Sequence, residues 1–279
     1  MTNYILTQMA EEGWDQDYAV NKAKEMGFAE PDPSNDLEGL DAAYKLAVLG
    51  TLAFRSSVRV QDVYREGIRR LKARDFRYAS ELGYSIKLLA IGKLEGGDLQ
   101  VRVHPAMIPK GLLLAKVDGV FNAIQLDGDL VGRLVFSGKG AGPEPTTSSI
   151  LADVIDIARG IVEGTGSRQS FRVDKNLGIS HIDDLDGRYY LRLDVLDEPG
   201  VLAQIAKLLG DLRIGIASVI QKEANAQAQT AEIVIMTHEA NEASVKKALG
   251  EMDQIAVIKE VGNVLRVEDC SIRGGVVGQ

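Results

Sequence analysis

The chain opens with two short stretches of helical period. Tyr4, Ile5 and Met9 share one side of residues 1–13, and residues 16–26 keep the same spacing. A loop rich in Pro, Asp and Ser follows, and Asp36 has the character of a helix N-cap. From Leu37 to Phe54 the pattern is helical again. Its second half, LAVLGTLAF, is apolar on every side, which predicts a helix buried all round. Residues 74–83 predict a further helix closed by Gly83. The period then drops to two. YSIKLLAIGKL and LQVRVHPAMI flank a Glu-Gly-Gly-Asp turn at 95–98, and VFNAIQLDGDLVGRLVFSG has Asp127-Gly128 as its turn. Two hairpins in one mostly antiparallel sheet of about four strands are expected. Over 146–163, Ile150, Leu151, Val154, Ile157, Ala158 and Ile161 form one broad face, expected against that sheet.

After residue 164 the period is lost, and Gly, Ser, Asp and Asn dominate to 187. We read 1–165 as a first domain and 166–187 as a linker. Residues 188–268 then run strand, helix, strand, strand, helix, strand, the split βαββαβ plan. Residues 269–279 are glycine-rich and expected to fray. The fold class is therefore α+β: a mixed or antiparallel sheet with helices on one face, followed by a βαββαβ unit.

Composition narrows the possibilities. A net charge of −8 over 279 residues argues against nucleic acid or an anionic membrane as main partner. The single cysteine, Cys270, cannot form an internal disulfide, which fits a reducing compartment. No apolar run reaches the roughly 18–20 residues of a membrane span, and no basic-then-apolar secretory leader opens the chain. A cytoplasmic location is expected. His104, His181 and His238 are far apart and lack metal-ligand spacing, so no metal is expected.

Three features bear chemistry. Asp41 and Lys45 are four apart on a helix, so their side chains meet, in a row continued by Val48 and Leu52. A solvated ion pair has that spacing too; a pair held where a helix enters a core would have tuned pKa values. The loop Gly-Lys-Gly-Ala-Gly at 138–142 follows a strand and precedes a helix. Its third motif glycine would fall on Pro143, so a dinucleotide fingerprint is weak, and an anion-facing turn through Gly140 and Gly142 fits better. Pro199-Gly200 opens a helix whose free N–H groups suit a carboxylate.

The residues around the first pair form a longer string. Ala23, Gly27, Pro33, Asp36, Leu37, Gly39, Asp41 and Lys45 resemble, in order and spacing, the signature of homoserine dehydrogenases. GYSIKLLAIGK, VHPAMIPK, VDGVFNAI and GKGAGPEPTTSSILADV resemble the middle of the same family. LDEPGVLAQIAKLLGDLRIGIASVIQK resembles an ACT domain. The resemblance implies NAD(P)-dependent interconversion of homoserine and aspartate 4-semialdehyde, on the route to threonine and methionine. It implies that Lys45 supplies a proton to the oxygen and that Asp41 orients it. Glu30, with Asp36 beside it, would hold the substrate ammonium. Asp197, Gly200, Val201, Leu202, Ser218 and Ile220 would form a regulatory shell, some across a subunit boundary, with L-threonine as ligand. A homodimer or homotetramer is implied.

Two departures qualify this expectation. In the family a dinucleotide-binding domain precedes the TNYIL string, and here Met1 stands in place of a threonine. Phe28 stands where many relatives have tyrosine. The chain alone is therefore expected neither to bind NAD(P) tightly nor to turn over. The alternative is a non-catalytic, threonine-binding regulatory or assembly subunit that dimerises through the sheet of residues 84–136.

Overall fold

The computed structural model describes residues 1–140, 142–164, 172–225 and 229–270, apart from the side chains of 222–225. The glycine-rich end at 271–279 and residues 165–171 of the junction lie outside the described residues. The helices are α1 (Thr2–Glu11), α2 (Gln16–Glu25), α3 (Ser34–Leu37), α4 (Leu40–Phe54), α5 (Ala73–Glu81), α6 (Pro143–Val162), α7 (Val201–Asp211) and α8 (Glu242–Met252). The strands are β1 (Tyr64–Arg65), β2 (Tyr84–Glu95), β3 (Asp98–Pro109), β4 (Phe121–Gly128), β5 (Gly132–Lys139), β6 (Asp186–Leu196), β7 (Ile216–Asn225), β8 (Thr230–Thr237), β9 (Ala240–Asn241) and β10 (Ile258–Val267). This is the α+β class, with the βαββαβ order in its second part.

One sheet runs through both parts. Its order is β1-β3-β10-β6-β8-β7, with β2 on the other edge of β3 and β9 on the end of β6. The β2–β3 hairpin is antiparallel over twelve pairs, from Tyr84↔Pro109 to Glu95↔Asp98. Its turn, Gly96-Gly97, has positive φ at both positions, as the twist of a tight hairpin requires. The junction is parallel: Arg266 and Val267 of β10 pair with Ala106 and Met107 of β3. Residues 172–185 are laced down as well. Lys175 N donates to Arg55 O at 3.0 Å, and Leu99 exchanges hydrogen bonds with Gly178 O and Ser180 N at 2.8 and 2.9 Å.

Alternation in the strands sorts the core. Ile86, Met107, Tyr190, Val234, Met236 and Leu265 meet α1, α2 and α5 on one face. Tyr189, Leu191, Leu193, Ile233 and Ile235 meet α7 and α8 on the other. A third cluster seats Ala43 and Leu46 of α4 against Leu99, Val101 and Val103 of β3. Helix α5 is thus held between the β2–β3 hairpin and the β6–β8–β10 strands. Its Asp75 is fully buried and accepts from Arg192 Nε at 2.7 Å, Tyr190 OH at 3.1 Å and Asn263 Nδ2 at 2.9 Å. Arg192 also reaches Glu232, which Arg74 of α5 contacts at 2.6 Å. The buried charges of the interface are therefore paired to one another, as burial demands, with Glu232 Oε1 left without a hydrogen-bond partner.

Two expectations fail here. The second hairpin, β4–β5, forms its own two-stranded sheet rather than joining β2–β3, with its turn at 129–131 rather than at Asp127-Gly128. Helix α6 buries no residue: Ile157 is 64% and Ile161 75% exposed. Phe121, Ile124, Leu134 and Phe136 on the hairpin are exposed too. The apolar pattern alone does not distinguish packing within one chain from packing against another surface. A lone hairpin and an amphipathic helix have no core of this chain to join, and both need apolar cover from elsewhere.

Candidate active site

The first residues of α1 are the hub of the site. Thr2 Oγ1 donates to Asp36 O at 3.4 Å, tying α1 to α3. Asn3 Nδ2 donates to Val117 O at 2.9 Å and Phe121 O at 2.8 Å, anchoring the start of β4 beside it. The Met1 amine lies within electrostatic range of Asp36, Asp41 and Lys45. Burial pulls its pKa down, opposed by the two carboxylates and assisted by Lys45. The Asp36 carboxyl is raised above the ordinary range. Burial is the main cause; the amine and Lys45 oppose it, and Asp41 and Glu30 add to it. Glu30, Asp36, Asp41 and Lys45 are therefore one electrostatic cluster.

Local structure differs from expectation. Asp36 is not an N-cap but lies inside the short α3, and α4 begins at Leu40 after Gly39 in the left-handed region (φ 71°). Lys45 Nζ meets Asp41 Oδ2 at 2.6 Å. Their side chains are 64% and 44% exposed, so the pair is not sunk in a core of this chain. Nor is α4 buried all round. Only Ala43, Leu46 and Gly50 are covered, while Tyr44, Val48, Leu49 and Leu52 face outward beside Lys45. The helix packs through one narrow stripe. The remaining apolar residues make a strip next to the charged pair.

The glycine loop has a structural reason. A Cβ on Gly140 would run into the Asn122 amide, with its Cγ at 2.6 Å, so Gly140 allows the β4–β5 end to close. Gly142 precedes α6 with φ 123°. Through Asn3 the same strand end is tied to α1, on the side of the cluster. Among the described residues no parallel β-α-β crossover surrounds this loop; the parallel pairs are those of β3 with β1 and with β10. Gly140 and Gly142 are therefore not set in a β-α-β turn. No group of three or more His, Cys, Asp or Glu is gathered for a metal among the described residues. No described helix is long and apolar enough to cross a membrane.

The regulatory shell is not assembled within one chain. Asp197 and Gly200 (φ 91°) are exposed at the start of α7, with open space above the glycine. Val201 points into the second core, whereas Leu202 is exposed. Ser218 and Ile220 lie on β7, two strands away. Ser218 is level with Tyr190 through Met236, whereas Leu196 is level with Asn225 through Thr230. Six residues of strand separate the two levels, about 20 Å. Sharing a ligand would take two copies of the unit.

Two contacts around the candidate site carried no signal in sequence. One is the stretch Glu66–Arg69, which presses on the α3–α4 turn. The other is the buried Arg266–Glu242 pair. The first joins residues about 30 apart and the second residues 24 apart, and no local period marks either contact.

Comparison with known proteins decides the family. Residues 1–155 match the homoserine dehydrogenase family and 189–257 the ACT domain. The chain belongs to the homoserine dehydrogenase family. It is 40% identical to the homoserine dehydrogenase of Neisseria gonorrhoeae over 96% of its length, and 41% identical to that of Synechocystis over 95%. The crystal structure of a homoserine dehydrogenase from Thiobacillus denitrificans superposes with a TM-score of 0.87 at 36% identity, covering 97% of this chain. That from S. aureus gives 0.69 at 28%. The chain spans only 62–63% of the length of these relatives.

Proposed function

We propose that this member of the homoserine dehydrogenase family supplies the substrate-binding and regulatory parts of an NAD(P)-dependent interconversion of homoserine and aspartate 4-semialdehyde. The observation that supports it is the cluster of Glu30, Asp36, Asp41 and Lys45 beside an uncovered apolar strip on α4. Lys45, as an ammonium, donates a proton toward the carbonyl oxygen of the semialdehyde, and Asp41 fixes its direction. Glu30 and Asp36 hold the substrate's own ammonium by charge. The hydride is the cofactor's contribution, and the described residues do not fit a dinucleotide, so the pair needs a nucleotide-binding partner surface. Covering the strip would also exclude water and strengthen the pair.

The ACT part takes an amino acid, L-threonine on this reading, at the turn Asp197–Gly200. Gly200 and the first N–H groups of α7 receive its carboxylate. The exposed faces of α6 and β4–β5 meet a second copy, giving a homodimer as the smallest assembly. The proposed division is 1–165 for substrate and dimerisation, 166–187 as connection and 188–268 for regulation, in a cytoplasmic protein.

Homoserine-dependent NADPH formation tests this, with the chain alone and joined to a nucleotide-binding domain of a relative. Turnover in the joined form only is expected; none in either form overturns it. Calorimetry with L-threonine runs alongside. The openness of the Asp41–Lys45 pair favours a second reading, a threonine-binding regulatory subunit without chemistry, for which heat without turnover is the signature.

A further inference from the structure

An arginine of the second part reaches toward the candidate active site. Arg266 stands on β10, with its side chain 8% exposed. Its Nε donates to Glu242 Oε2 at 2.9 Å, and Nη2 donates to Glu242 Oε1. Nη1 and Nη2 make a fork of two 3.0 Å bonds to Glu66. Tyr64 OH accepts from Nη2 at 3.2 Å. Glu242 opens α8 and also takes the Tyr189 hydroxyl at 2.8 Å. One guanidinium therefore joins the N-terminus of α8 to the stretch that follows β1.

That stretch, Glu66–Arg69, lies flat against the α3–α4 turn. Ile68 N donates to Leu37 O at 2.8 Å, and Gln16 Nε2 fixes Ile68 O at 2.7 Å. Arg69 pairs with Glu38. A Cβ on Gly39 would sit 3.2 Å from Glu66 O. At Gly67 the backbones leave no room for any side chain. A Cβ there would strike the Leu37 carbonyl oxygen and lie 2.6 Å from Glu38 Cα. No compressible side chain separates Gly67 from the turn, so a shift of Glu66 passes directly to the segment that carries Asp36 and starts the helix of Asp41 and Lys45.

We propose that Arg266 is a positioning residue: acting through Glu66 and Gly67, it sets the α3–α4 turn and makes that turn answer to α8 of the second part. The claim rests on the reading of this turn as the substrate site. A forked, charge-assisted contact resists sliding in a way that a lysine's point charge does not.

Hydrogen exchange on the full chain tests the linkage in E66Q, G67A and R266K. Exchange at residues 36–41 and 68 should quicken about tenfold, while α7 and β8 keep the wild-type rate. If R266K does not fold by circular dichroism, E66Q decides, since it leaves Arg266 in place and adds no bulk at the turn. Unchanged exchange at 36–41 in E66Q would overturn the proposal. In the form joined to a nucleotide-binding domain, E66Q should raise KM for homoserine about tenfold and leave KM for NADP unchanged. Absence of wild-type turnover would count against the substrate reading alone, because the exchange result still judges the linkage. Turnover with unaltered exchange would refute the linkage and spare the reading.

Discussion

A lysine with most of its side chain in water contributes little to folding. The Asp41–Lys45 pair is an exposed i,i+4 contact, a class worth a few tenths of a kcal/mol. Lys45→Ala should therefore leave the denaturation midpoint almost unmoved, yet lower turnover of the joined enzyme about 10²-fold or more. Equal loss of stability and turnover would assign the residue a structural role. Asp36 carries the opposite balance. Its folded pKa is raised, chiefly by burial, so its ionised form opposes folding once pH exceeds the unfolded value. Asp36→Asn should stabilise the chain at pH 7, with the gain shrinking as pH falls through the raised pKa and below. Urea midpoints of both proteins between pH 3 and 7 check this. The residue types of the cluster were legible because Asp41 and Lys45 are one helical turn apart. Their exposure was not, because it depends on what lies across from α4.

At the scale of elements, α6 and the β4–β5 hairpin are the clearest case of pattern without partner. Their amphipathicity predicted a helix and a hairpin correctly. It did not tell whether the apolar side meets this chain or another surface, since periodicity records only that a side must be covered. Ile157→Glu with Ile161→Glu should leave the far-ultraviolet spectrum unchanged and halve the mass seen by light scattering. A mass unaltered by both charges would remove α6 from the subunit contact. The Gly96-Gly97 turn and the helix stop at Gly83 were readable from local chemistry. The caps of α3 and α4 were not, because Gly39 takes its left-handed conformation where the Glu66–Arg69 stretch presses in.

For the whole molecule, the two parts read from composition are folded as one body around α5. The buried set of Asp75, Arg192, Tyr190, Asn263 and Glu232 draws on α5, β6, β10 and β8. Asp75→Ala strands Arg192 without its main partner and should cost about 3–5 kcal/mol, visible as one cooperative loss in both parts by calorimetry. Two separate transitions would show that the parts melt independently. Sequence separated these parts at a change of composition, and the βαββαβ order of the second was plain from its alternating strands. The shared sheet was invisible, because pairing between Met107 and Val267 spans 160 positions and leaves no periodic trace.

The insertion of β10 between β3 and β6 has a practical consequence for anyone cutting or grafting this chain. A protease that nicked the connection near residue 172 would release nothing, since the fragments would stay zipped along β3 and travel together through a sizing column. A cassette exchanged at the same point would arrive carrying an arginine with no Glu66 to meet it. The natural unit of transplantation is the whole chain.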